Sequence, residues 1–131
     1  MRVNVDTNAC IRYLLDDIPE QAERTEALID EGSAYLTPEV LAECAFVLEK
    51  VYEIGRQEMA TGLRRLIELM GCDSKEVYLR AVSVFAGNRK LDMVDSFLIA
   101  RKLVLEDDVL SFDKDMMKVL YRLESSENAA D

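Results

Sequence analysis

Apolar residues in this chain recur mostly three and four positions apart, interrupted by brief alternating or continuous apolar stretches. That is the pattern of several helices joined by a few short strands. Arg2 to Val5 alternates polar and apolar and ends at Asp6-Thr7-Asn8, which predicts a short strand feeding a helix from Ala9 to about Leu15. Pro19 suits the first turn of a second helix, which turns Ala22, Ala27, Leu28 and Ile29 inward and ends near Gly32. Ser33 to Leu36 is a candidate second strand. Thr37-Pro38-Glu39 is a helix start, with threonine as cap and proline at the first helical position. The helix it opens carries Val40, Leu41, Cys44, Val47, Leu48, Val51 and Tyr52 on one stripe, with Gly55 as the expected stop. Further helices are predicted over Arg56–Leu69 and Lys75–Ala86, and Gly87-Asn88 marks a turn. Asp92 to about Leu105 reads as a very apolar helix, Val109-Leu110 as a buried strand and Asp113 to Leu123 as a last helix. Strands separated by helices predict an α/β domain with a small parallel sheet and much helix, spanning residues 1–123. The polar end, residues 124–131, is expected to fray.

Composition narrows the class. A chain of 131 residues, 50% hydrophobic and 32% charged, is one globular domain rather than a disordered segment. No apolar run reaches the roughly 18 residues that cross a bilayer. The start, Met1 to Asp6, lacks the features of a signal peptide. Cys10, Cys44 and Cys72 are odd in number and widely spaced, which suits buried thiols in a reducing compartment. The expectation is a cytoplasmic protein with no membrane partner.

The chain has no histidine. That removes the commonest general acid/base, the Ser-His and Cys-His nucleophile pairs, and histidine-based ribonuclease chemistry. Carboxylates and a hard metal ion are the tools left for a hydrolase. The net charge of −10 argues against nucleic acid at first sight. Carboxylates gathered at one site, however, bind Mg²⁺ or Mn²⁺ and reverse the local field. Arg64-Arg65, Arg89-Lys90 and Arg101-Lys102 are candidate basic patches, with ordinary solvated helix faces as the competing reading. An acidic surface equally suits a basic protein partner.

Four carboxylates stand out. Asp6 sits where a strand gives way to a helix, the edge at which parallel sheets bind ligands, although an N-cap role explains it as well. Glu43 is the only charge between Val40 and Leu48 and falls on the margin of the apolar stripe. There it either faces desolvation or reaches water from the helix edge. Asp95 opens the run Ser96-Phe97-Leu98-Ile99-Ala100, and with Asp92 it fits either a capping box or a site at the positive end of a helix. Asp113 repeats the placement of Asp6, with Ser111 two residues earlier and Asp115 nearby as a first-turn charge. If the sheet is parallel these ends can converge, and four converging carboxylates persist only with bound cations or raised pKa values.

In order, Val5-Asp6-Thr7-Asn8, Pro38-Glu39-Val40-Leu41-Ala42-Glu43, Val94-Asp95-Ser96-Phe97-Leu98-Ile99-Ala100 and Leu110-Ser111-Phe112-Asp113-Lys114-Asp115 resemble the motifs of PIN domains. The similarity is closest to VapC-type toxin ribonucleases and spans nearly the whole chain. It implies a small three-layer α/β/α fold around a short central parallel sheet. It also implies hydrolysis of RNA phosphodiesters by a water activated on one or two Mg²⁺ or Mn²⁺ ions, leaving 5′-phosphate and 3′-hydroxyl ends. Carried over by motif, the catalytic and metal-holding set is Asp6, Glu43, Asp95 and Asp113. Asn8 and Ser111 take the supporting polar positions, and Asp92 and Asp115 lie within a helical turn of motif aspartates. The family usually has threonine where Ser111 stands, and its last strand has no counterpart in Leu120 to Glu124.

A VapC-type toxin implies a partner antitoxin with a basic segment. It also implies a homodimer formed through the helices after Pro38 and Gly55. Two alternatives carry different functions. One is a PIN fold that binds RNA or protein without cutting. The other is a receiver-like phosphotransfer domain, which needs adjacent early acids where Asp6 stands alone.

Overall fold

The computed structural model describes residues 1–130, so Asp131, the last residue of the polar end, lies outside the described residues. The chain divides into two compact units, Met1–Lys75 and the residues from Glu76 onward.

The first unit opens with β1 (Val3–Asn4) and α1 (Thr7–Leu15), followed by α2 (Pro19–Asp30), β2 (Ala34–Tyr35), α3 (Pro38–Lys50) and α4 (Arg56–Leu69). The two strands pair in parallel, Val3 with Ala34 and Asn4 with Tyr35, and Gly71 adds one parallel bridge to Tyr35. Gly71 donates its N–H to Ala34 O at 2.9 Å and accepts from Leu36 N–H at 2.8 Å. A Cβ built on Gly71 would stand 3.3 Å from Cδ2 of Tyr35, so glycine lets the third backbone close against β2. Caps set the helix starts: Asp6 accepts from Ala9 N–H and Thr37 from Val40 N–H, and Pro38 occupies the first turn of α3. Leu36, Leu41, Cys44, Leu48, Leu63, Leu66 and Ile67 are buried.

The second unit comprises α5 (Lys75–Gly87, beginning at the last residue of the first unit), α6 (Met93–Leu105) and α7 (Lys114–Ala130). Val84, Leu91, Ile99, Met116, Val119 and Leu120 form its core, and the rings of Tyr78 and Phe97 meet edge to face at 5.2 Å.

A short parallel sheet attended by many helices is the predicted architecture, but several boundaries differ. Val109-Leu110 forms no strand, and Leu110 is 84% exposed. The chain turns at the end of α6, where Glu106 adopts φ 64°, and Asp107 and Asp108 pair back with Arg101 and Lys102. Helix α3 stops at Lys50, well before Gly55, and the turn passes through Glu53 at φ 54°. As a result Val51 and Tyr52 leave the apolar stripe and are exposed. Ala27 is likewise exposed. Helix α7 runs past Leu123 to Ala130, with Glu127 paired to Arg80.

Candidate carboxylate site

Asp6 and Glu43 belong to the first unit; Asp95 and Asp113, with Asp92 and Asp115, belong to the second.

Asp6 follows the first strand and caps α1, its Oδ1 accepting from Ala9 N–H at 2.9 Å. The capping role is therefore realised, and it engages one carboxylate oxygen. Asp6 lines a cleft of about 560 Å³ together with Asn8, Gln21 and Arg24, and Asn8 donates to Gln21 Oε1 at 3.4 Å. Arg24 was not singled out by sequence. Its signal was its place on the Gln21, Arg24, Leu28 face of α2, at three- and four-residue spacing.

Glu43 reaches solvent from the edge of α3, so the desolvation reading is set aside. Its neighbour Cys44 is fully buried beside Cys10, and both thiols are free. A hydrogen bond with Cys10 pushes the Cys44 thiol far up, burial adds to this, and the charges of Glu43 and Asp6 contribute further. Asp6 and Glu43 therefore act on one place, the junction of α1 and α3.

In the second unit Asp92 and Asp95 form a reciprocal capping box. Asp92 Oδ1 accepts from Asp95 N–H at 2.8 Å, and Asp95 Oδ2 accepts from Asp92 N–H at 3.5 Å. Ser96, buried on the next position, donates to Asp92 O at 2.8 Å. Burial raises the Asp95 carboxyl above the usual range, and the negative charges of Asp92 and Asp113 raise it further. Asp113 caps α7 by accepting from Met116 N–H at 3.0 Å, and its own N–H donates to Ser111 Oγ at 3.1 Å. Asp115 pairs with Lys90 at 3.6 Å.

Among the described residues no three carboxylates or thiols come close enough together to hold one ion. The donor set nevertheless suits Mg²⁺ or Mn²⁺ in kind. Mg²⁺ is commonly held by one or two carboxylates, with waters and substrate phosphate completing its shell.

The basic pairs read from sequence are largely neutralised. Arg101 pairs with Asp107, Lys102 with Asp108 and Lys90 with Asp115, while Arg65 lies over the Tyr13 ring. No helix among the described residues is long and apolar enough to cross a membrane. No curated protein and no solved structure matches the chain significantly. The family model for the PIN domain matches residues 3–122, nearly the whole chain. With its short parallel sheet, its helices and its motif acids in order, the chain belongs to the PIN-domain family, whose fold is α/β/α.

Proposed function

We propose that this protein is a metal-dependent ribonuclease that hydrolyses RNA phosphodiester bonds, with Asp6, Glu43, Asp95 and Asp113 as its metal-holding carboxylates. The observation that carries this reading is the raised Asp95 carboxyl, set among Asp92 and Asp113 at the start of a helix in a PIN domain. Mg²⁺ or Mn²⁺ bound to these acids supplies an activated water and offsets the charge that builds on the phosphate.

The chain's own residues supply orientation. Asp6, Asp92 and Asp113 are each fixed by a cap hydrogen bond from the helix they open. Asn8 and Arg24 line the cleft beside Asp6, where the guanidinium offers a phosphate two donors in fork geometry. Ser111 holds the backbone at Asp113. No protein nucleophile takes part, consistent with a chain without histidine.

The wider setting belongs to the same proposal: a cytoplasmic toxin paired with a basic antitoxin protein, working as a homodimer. Phe46 in α3, Val51 just past its end and Leu69 at the end of α4 are exposed apolar residues that support the dimer. Light scattering should report a dimer at micromolar concentration, and Phe46→Glu should shift it toward monomer.

A second reading, a PIN module that binds RNA or protein without cutting, is favoured by the lack of a ready three-donor group among the described residues. One experiment separates the two: a panel of structured RNAs with Mn²⁺ or with chelator, using the wild type and Asp113→Asn. Cleavage that needs metal, leaves 5′-phosphate ends and vanishes in the variant supports the nuclease. RNA binding without cleavage by either protein supports the binding module.

A further inference from the structure

The cleft beside Asp6 offers more than a carboxylate. It measures about 560 Å³ and lies among β1, α1 and α2, with Val5, Ala9 and Leu28 as apolar wall and Asn8, Gln21 and Arg24 as polar groups. Pockets that hold small ligands span roughly 300–1,000 Å³ and share this make-up, a few polar groups on an apolar wall. The wall is fixed in place. Buried Thr25 donates its hydroxyl to Gln21 O at 3.0 Å and lies 3.5 Å from Ala9 O, so the turn of α2 that carries Gln21 and Arg24 is seated against α1.

The side-chain amide of Gln21 is oriented as well. Asn8 Nδ2–H donates to Gln21 Oε1 at 3.4 Å, which turns the oxygen toward Asn8 and leaves Nε2 with both hydrogens free. Gln21 therefore presents donors. Arg24, three residues on along the same face of α2, adds a guanidinium that enters no ion pair among the described residues. A nucleotide carries groups that match both, phosphate oxygens for Arg24 and acceptors on the base edge for Gln21.

We propose that this cleft seats one nucleotide of the substrate and that Gln21 selects a keto base, uracil or guanine, over an amino base, adenine or cytosine. The proposal rests on the nuclease reading for the identity of the polymer and adds which base is accepted beside Asp6. Uracil O4 and guanine O6 are acceptors, so each takes a hydrogen from Nε2. Adenine N6 and cytosine N4 are donors at the corresponding position, and there they meet a second donor. A site built to donate rejects a ligand that cannot accept, because its own N–H is left unpaired. Arg24 holds the phosphate of every nucleotide alike and contributes affinity without choice.

The test needs no cleavage. Gln21 is exposed on α2, so substituting it leaves the core intact. Each of the four nucleoside monophosphates is titrated in chelator and followed by the amide resonances of the protein. UMP and GMP should shift the Gln21 side-chain amide and bind about tenfold more tightly than AMP and CMP. Gln21→Glu turns the donor into an acceptor of the same shape, so the order should reverse and AMP and CMP should become the tighter pair. Gln21→Met should abolish the choice. Arg24→Gln should weaken all four by a similar factor and keep the keto preference.

Equal affinity for all four nucleotides in the wild type would overturn the proposal. So would a keto preference that survives in Gln21→Glu, or nucleotides that shift only resonances outside the cleft. Keto-selective binding by a protein that never cleaves RNA would sink the nuclease reading and leave the nucleotide site standing. Metal-dependent cleavage at equal rates beside all four bases would do the reverse.

Discussion

Asp6 carries two duties that one pair of substitutions can separate. Its Oδ1 caps α1 through the 2.9 Å bond from Ala9 N–H, and its charge is assigned to metal. Asparagine caps a helix about as well as aspartate, because its side-chain carbonyl accepts the same bond. Alanine removes the acceptor and costs roughly 1 kcal/mol. For a domain of this size that is a fall in Tm of roughly 4 °C. Asp6→Asn should therefore melt within about 1 °C of the wild type, whereas Asp6→Ala should melt about 4 °C lower. Cleavage should respond differently. Both variants lose the carboxylate, so both should lose at least about 100-fold in kcat/KM, beyond the loss expected for a residue that only orients a ligand. The assays are differential scanning fluorimetry and Mn²⁺-dependent cleavage of a labelled RNA. Full activity in Asp6→Asn would refute the reasoning, since the residue would then be a cap alone. So would a large stability loss in Asp6→Asn, because the charge would then be structural.

Other predictions follow from the same geometry. Arg56 holds the Glu49 carboxyl below its usual range through a 2.7 Å hydrogen bond, so that pair stabilises the fold above the unfolded pKa of Glu49 and is lost as pH falls through the lower folded value. Urea melts of Glu49→Gln should lie about 1 kcal/mol below the wild type at pH 7 and converge with it in acid; a constant gap across pH would count against this. Glu106 closes α6 at φ 64°, a left-handed conformation that glycine adopts without strain. Glu106→Gly should therefore raise stability by about 0.5–1 kcal/mol, read as a higher urea midpoint at unchanged slope. Gly71→Val places branched carbon where a Cβ already stands 3.3 Å from the Tyr35 ring, and a loss of about 1–3 kcal/mol is expected in the same melts.

Helix starts were legible because their caps are local. Asp6, Thr37, Asp92 and Asp113 each sit three residues before the N–H they accept from, and short-range pattern is enough to place them. What depended on chain reversal was not legible. The acids that neutralise Arg101 and Lys102 lie six residues on, beyond the end of α6, and only a turn brings them back. That same turn takes Val109-Leu110 out of strand geometry, which an apolar pair alone could not reveal. Gly71 is the opposite case: a single bridging residue has no periodicity to detect. The candidate acids were readable as residues, since each breaks or opens an apolar pattern. Their electrostatic coupling around Asp95 comes from packing.

Cys10 and Cys44, packed together at the junction of α1 and α3, are withdrawn from thiol chemistry. The thiolate is the reactive form of cysteine, and contact with Cys10, burial and nearby carboxylate charge all hold the Cys44 thiol in its protonated form. Both side chains are fully buried, so oxidants and electrophiles in solvent do not reach them. A chain with three free cysteines thus meets its surroundings through one sulfur, that of partly exposed Cys72.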